Sequence, residues 1–353
     1  IESISKVTGS FTEPEYKIET VNDLVKLAEL TNNGVDATGV TFVLAKDLDL
    51  KEYCEANMAT GGLTPIGNST NPFKGNFNGN GNVISNLTIN RPTEDYQGLF
   101  GYSAEVARIL NIGVINFNIE ADRCVGGLVG YSLSFIRNSF SKGSAKGSDS
   151  TGGLIGTNGG ITGLSCSYSI SSVENTGLAA GGLIGYAYCK YVESCYANTT
   201  INGKSLVGGL IGSSSLAETK NCYAIGDIAG NRAVGGLVGY LYYGTRSFVD
   251  CWEGCNISGR IKVGSFIGEI TNAQADSPAD KINLLNIRVL ESELNYIGAV
   301  TLASGNNLDY DTSSWDVNIT EVRLSNTNTN LQVGTNNESS SQIGFNTNFD
   351  VVT

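Results

Sequence analysis

Residues 126–130 read Gly-Gly-Leu-Val-Gly, and this five-residue core returns along the chain. Residues 152–156, 181–185 and 208–212 read Gly-Gly-Leu-Ile-Gly, and residues 235–239 repeat Gly-Gly-Leu-Val-Gly. Variant copies stand at 98–101 (Gly-Leu-Phe-Gly) and 264–268 (Gly-Ser-Phe-Ile-Gly). The leading large residues are Leu99, Leu128, Leu154, Leu183, Leu210, Leu237 and Phe266, at spacings of 29, 26, 29, 27, 27 and 29. So constant a period over seven copies marks a solenoid, each repeat being one structural unit stacked on the last.

A second column runs in phase with the first: Asn86, Asn111, Asn138, Ser165, Ser194, Asn221, Asp250 and Asn286. All are small and polar, the kind of residue that tolerates left-handed backbone or caps a turn. The residues that follow are Leu87, Ile112, Ser139, Cys166, Cys195, Cys222, Cys251 and Ile287. An apolar residue two before the polar site and a small or apolar one after it break strand alternation, and a bend at the polar site restores the inward direction on both sides. The expectation is a corner between two short strands, with Asn86, Asn111, Asn138 and Asn221 bonding from coil to coil. Cys166, Cys195, Cys222 and Cys251 are expected to form an interior ladder of free thiols.

Units this short and glycine-rich cannot hold paired helices, and β-branched or aromatic residues dominate between the glycines. The pattern predicts an all-β, right-handed parallel β-helix with about 28 residues per coil, handedness following from the usual sense of parallel crossovers. Residues 21–31 (VNDLVKLAELT) place Val21, Leu24, Val25, Ala28 and Leu30 on one broad face behind a Thr20/Asp23 capping pair, which suits a short helix closing the solenoid's end. The expected organisation is an N-terminal cap over 1–40, the β-helix over 41–302 and a strand-rich C-terminal cap over 303–353.

Composition narrows the function. The chain has 353 residues, 45 of them glycine, with 41% hydrophobic and 16% charged residues, against about 25% charged in ordinary proteins. Its net charge of −12, without a basic patch, argues against nucleic acid or an anionic membrane surface as partner. Histidine is absent, which closes the Ser-His-Asp, Cys-His and HExxH zinc mechanisms. No apolar run approaches a membrane span.

The Gly-Gly-Leu-Val/Ile-Gly cores resemble the GLUG motif of large bacterial surface proteins: adhesins, haemagglutinin-like proteins and the non-catalytic part of IgA-specific metallopeptidases. Residues 41–50 (TFVLAKDLDL), 65–67 (PIG), 73–75 (FKG) and 77–90 (FNGNGNVISNLTIN) look like the segment that introduces such repeats, so the resemblance covers about residues 17–270. It implies an extracellular or cell-surface location and a non-enzymatic, adhesin-like scaffold. The alternative it implies is an accessory or spacer region of an IgA-protease-like protein. The zinc motif of those peptidases has no counterpart in a chain without histidine.

Four tyrosines share one register after the repeat core: Tyr102, Tyr131, Tyr186 and Tyr240, with Tyr188, Tyr191, Tyr242 and Tyr243 close by. Amphipathic rings in a row suit a host glycan or glycoprotein, or a polysaccharide, whereas the bland expectation is that they pack against the coil. Apolar residues in succession leave their direction open. Asp47 and Asp49, two apart on a strand, are the paired carboxylates from which a third function, a polysaccharide-acting β-helix enzyme, would have to be built. A place in the introductory strand and its turn explains them more simply. Cys54, Cys124, Cys189 and Cys255 fall outside the ladder with their redox state open, and no pair has CxxC spacing. Residues 75–81 (GNFNGNG) lack the Lys-Ser/Thr of a phosphate loop. The expectation is therefore no catalytic residue, no metal, no cofactor, no membrane insertion and a monomer.

Overall fold

The computed structural model describes residues 2–242 and 246–270, with the strands 281–285, 287–290, 316–319 and 322–325 beyond them. One coil shows how the sequence winds. Phe135–Arg137 forms a short strand of sheet A, the chain turns at Asn138, Phe140–Gly152 runs through sheet B, and Ile155–Asn158 closes the coil in sheet C. Each strand pairs in parallel with its equivalents above and below, as Val129 does with Phe100 and Ile155. Among the described residues the sheets hold 12, 15 and seven strands respectively. The protein is a parallel β-helix, and the seven leading residues from Leu99 to Phe266 are all completely buried in its interior.

The N-terminal helix covers Val21–Asn32, and its capping box is complete. The Thr20 hydroxyl accepts from the Asp23 amide at 3.1 Å, and the Asp23 carboxylate accepts from the Thr20 amide at 2.9 Å. Leu24, Leu27, Ala28 and Leu30 are buried beneath it. Sheet A already includes Glu15–Ile18, paired with Thr41–Leu44, so its rungs begin ahead of residue 41. A second helix, Lys51–Ala56, buries Cys54. The boundary expected at 302, and Asn286, fall outside the described residues.

The polar corner forms, with Asn86 and Ser165 lying outside it. Asn111, Asn138, Ser194, Asn221 and Asp250 hold left-handed backbone with φ between 50° and 56°. Asn138 Nδ2 donates to Asn111 Oδ1 at 3.1 Å, and Asn111 Nδ2 donates to Asn78 Oδ1 at 3.0 Å. Asn86 does not belong to this column: Ser85 pairs with Ile115, which sets Asn86 level with the left-handed Asn116 at a different bend. Its amide instead donates to Asp49 at 2.7 Å. Cys166 is likewise no interior residue. Leu164 pairs with Ile136, so Cys166 itself takes the left-handed corner (φ 49°), half-buried, and Ser167 turns inward. The cause is packing: of Gly163 and Leu164, the leucine fills the interior place, moving the register by one.

The corrected inner column is Ile112, Ser139, Ser167, Cys195, Cys222 and Cys251, all buried. From Ser139 onward each side chain donates back over the corner to the carbonyl two residues earlier. The distances are 2.9 Å (Ser139 to Arg137), 2.8 Å (Ser167 to Ser165), 3.1 Å (Cys195 to Glu193), 3.1 Å (Cys222 to Lys220) and 3.3 Å (Cys251 to Val249). A small residue with an O–H or S–H donor fits this place because it fills little volume and occupies a carbonyl at the bend. All eight cysteines are free thiols.

Candidate functional site

The glycines of the repeat core decide which way the tyrosines point. A Cβ on Gly130 would lie 2.6 Å from backbone atoms of Tyr96 and Gln97, and one on Gly185 would lie 2.5 Å from Ser150. Here the sheet C strand rests directly on the backbone of the preceding coil, an approach that only glycine permits. With the inner side of the strand occupied by backbone, the next residue must face outward. Tyr131 pairs with Tyr102 and Thr157, Thr157 with Tyr186, Tyr186 with Ser213, and Ser213 with Tyr240. All four expected tyrosines thus share one register on the outer face of sheet C, and all four are half-buried.

The row is extended by rings from neighbouring positions. Tyr102 and Tyr131 stack at 4.6 Å with planes 11° apart, and Tyr96 meets both edge-on at 5.5 and 5.9 Å. Tyr188 stacks on Tyr186 at 4.4 Å and lies near Tyr131 and Cys124, so it reaches over the coil where Thr157 interrupts the row. Tyr242 touches Tyr240 at 5.1 Å and Tyr186 at 6.0 Å, bridging the coil of Ser213 in the same way. The two Tyr-x-Tyr units, 186–188 and 240–242, thereby close both gaps. Seven rings form one strip spanning five coil steps, about 24 Å. Tyr191 lies elsewhere, on sheet A against Gly163, and Tyr243 is outside the described residues.

The strip is polar but uncharged. Burial pushes the Tyr186 phenol up, with the neighbouring Tyr242 hydroxyl acting in the same sense, and burial raises Tyr102, Tyr131 and Tyr188 too. The phenols therefore stay protonated at neutral pH and keep both a donor and an acceptor. Beneath Tyr188, Cys124 Sγ and Thr157 Oγ1 lie 3.3 Å apart. Burial lifts the Cys124 thiol to about 11, which leaves it un-ionised and unreactive at neutral pH. At the borders, Arg123 pairs with Asp149 at 3.2 Å, and buried Glu269 is held by Arg232 at 3.1 Å and Lys262 at 2.6 Å.

The other candidates have structural duties. Asp47 Oδ1 accepts from the Val83 amide at 2.8 Å. Asp49 Oδ1 accepts from the Lys51 amide and from Asn86, hydrogen bonds that lower its pKa, Asn86 contributing most. Each carboxylate thus fastens the introductory strand to the next coil. Among the described residues, no group of three or more Cys, Asp or Glu is placed to hold a metal ion.

Two features escape sequence reading. A second left-handed column comprises Tyr96, Cys124, Ser150, Ala179, Leu206, Ala233 and Lys262, with φ between 52° and 61°. These residues share no side-chain chemistry, so no compositional signal marks them, yet Tyr96, Cys124 and Lys262 send side chains onto the strip or its border. On sheet B, Phe140, Tyr168, Tyr196, Tyr223 and Trp252 stack at 4.4–4.8 Å with planes within 7° of parallel. Their spacings of 28, 28, 27 and 29 residues were available in the sequence. Being buried, these rings strengthen the coil stack and offer no ligand surface.

Known proteins resemble this chain in part. Halomucin of Haloquadratum walsbyi is 31% identical over 156 residues, 44% of this chain but 2% of that protein. A "Putative Gly-rich membrane protein" of Evansella cellulosilytica is 33% identical over 129 residues, 36% of this chain and 14% of that protein. The chain therefore spans a small fraction of either relative. The crystal structure of a putative immunoglobulin A1 protease from Bacteroides ovatus superposes with a TM-score of 0.56. It covers 77% of this chain and 83% of its own at 21% identity, a likeness of fold alone. No protein-family model matches. Among the described residues no helix is long and apolar enough to cross a membrane.

Proposed function

We propose that this chain is a non-enzymatic β-helix module of a longer cell-surface or secreted protein, displaying the tyrosine strip of sheet C to an extracellular ligand. The observation that carries this reading is the strip itself: seven rings aligned along one lateral face, outside the core that holds the coils together. Aromatic rings with hydroxyl tips, half in and half out of a rigid surface, suit ligand capture. A surface or secreted setting is supported by the membrane-protein relative, and a module of a longer protein by the small share of each relative that the chain spans. The lack of histidine and the backbone duties of Asp47 and Asp49 support a binding role over catalysis.

A second reading, a non-catalytic region of an IgA-protease-like protein, is favoured by the fold of the Bacteroides ovatus neighbour. It shares the same geometry and differs in what surrounds the module. The direct test is an array of glycans and host proteins probed with the purified chain, alongside incubation with immunoglobulin A. The expected result is specific retention of at least one ligand and intact immunoglobulin. Chelator-sensitive cleavage, or retention of no ligand, contradicts the proposal.

A further inference from the structure

We infer that the strip binds a neutral polysaccharide laid along the helix axis, with Tyr188 as its stacking platform, a reading that rests on the display function proposed above. The first ground is charge. Among the described residues, the cations bordering the strip are already engaged: Arg123 with Asp149, and Arg232 and Lys262 with Glu269. Between those borders the outer groups are phenols, with Thr157 and Ser213 buried between them and Cys124 un-ionised. A polyanion would gain no ion pair here and would approach a chain of net charge −12.

The second ground is ring orientation. Tyr102 and Tyr131 lie face to face, so each covers the other and offers its edge and hydroxyl outward. Tyr188 covers one face of Tyr186, yet is itself 47% exposed, the most exposed large aromatic of the strip. It is the ring of the strip most open to a ligand. A pyranose has an apolar C–H face and a belt of hydroxyls. The face matches the ring of Tyr188, and the belt matches the phenol hydroxyls of its neighbours in the strip.

The third ground is length. The strip runs parallel to the axis for five coil steps, and one sugar unit of an extended chain is about as long as one coil step, about 4.8 Å, is high. A polymer thus meets a hydroxyl or a ring at successive units, whereas a single sugar meets only the platform.

The test is affinity electrophoresis of the whole chain through gels holding a soluble neutral β-glucan or, separately, polygalacturonate, followed by calorimetry with β-glucan oligosaccharides of increasing length. Retardation is expected in the neutral gel alone, unchanged between roughly 0.05 and 0.5 M salt because no ion pair is made. Affinity should rise with length and level off near about five units, the span of the strip. Tyr188→Ala should weaken binding about tenfold or more, the loss of one stacking contact, and Tyr188→Phe should keep it within about threefold. Both variants should melt as the wild type does. Retardation only by polygalacturonate, salt-sensitive binding, or full affinity in Tyr188→Ala overturns the inference. If every polysaccharide fails while a host protein is retained and then lost on replacing Tyr131, Tyr186 and Tyr240 by Ala, the carbohydrate inference falls and the display function stands. If neither class of ligand is retained, both fall.

Discussion

Cys222 illustrates how tightly a single place in the coil is specified. Its thiol is completely buried and donates to the Lys220 carbonyl, while Ser139 and Ser167 fill the equivalent place in other coils with a hydroxyl. Cys222→Ser should therefore cost no more than about 1 kcal/mol, since the donor survives in a site the fold already accepts with serine. Cys222→Asp should unfold the stack, because an unpaired buried charge costs several kcal/mol. Urea denaturation separates the two outcomes, and equal midpoints would contradict the interior placement. Glu269 is the charged counterpart. Burial raises its pKa, but the hydrogen bonds and charges of Arg232 and Lys262 outweigh that effect and hold it below its ordinary value. A carboxyl with a depressed folded pKa adds stability above its unfolded pKa of about 4.3 and loses it as pH falls through the lower folded value. The stability gap between wild type and Glu269→Gln should accordingly be widest near neutral pH and narrow below about pH 4. A gap that widens in acid would reverse the assignment.

Strands and corners depend on where backbone meets backbone. Gly185→Ala would push a Cβ to 2.5 Å from the backbone of Ser150, whereas Gly9→Ala meets nothing within 4 Å. The first should cost about 3 kcal/mol through forced separation of two coils, and the second should stay within about 0.5 kcal/mol. Thermal melts of both variants check this, and a tolerated Gly185→Ala would remove the physical reason offered for the repeat core. The same contacts show what was readable beforehand. Leu128 and its equivalents combined a fixed residue type with a fixed spacing, so the interior column and the β-helix could be read directly. The direction of Tyr131 could not, because it depends on Gly130 lying against Tyr96 and Gln97 of another coil. Cys166 departs from the expected place because the distance from the repeat-core leucine to the corner varies from 10 to 13 residues between coils, and Ser165 and Cys166 are equally acceptable at a corner. Asn86 follows an Ile-Ser pair much as Asn111 follows Ile-Leu, and only strand pairing tells the two bends apart. The second left-handed column, from Tyr96 to Lys262, is imposed by hydrogen bonding between coils on residues with no common preference for it.

At the scale of the whole molecule, the groups that hold the coils together and the proposed ligand face lie in different layers. The interior leucines, the hydroxyl and thiol column and the buried aromatic stack of sheet B hold the coils in register. The outer tyrosines of sheet C lie on that rigid support, so one long face can change its chemistry while the winding is kept. The described cysteines fit this division: six are buried, and Cys124 and Cys166 are half-buried. Burial raises the thiols of Cys54, Cys222, Cys251 and Cys255 and lifts Cys189 to about 12. Alkylation of the native protein at pH 8 should accordingly be slow, and unfolding in urea should release all eight thiols. Rapid native labelling of Cys195, Cys222 or Cys251 would place that column outside the interior. The most direct test of the division joins ligand retention with unfolding in one protein carrying Tyr131→Ala, Tyr186→Ala and Tyr240→Ala together. Retention of the array ligand should be lost while a single cooperative melt survives, lowered only by the loss of three half-buried rings. Retention at wild-type strength, or collapse of the cooperative melt, would contradict the division.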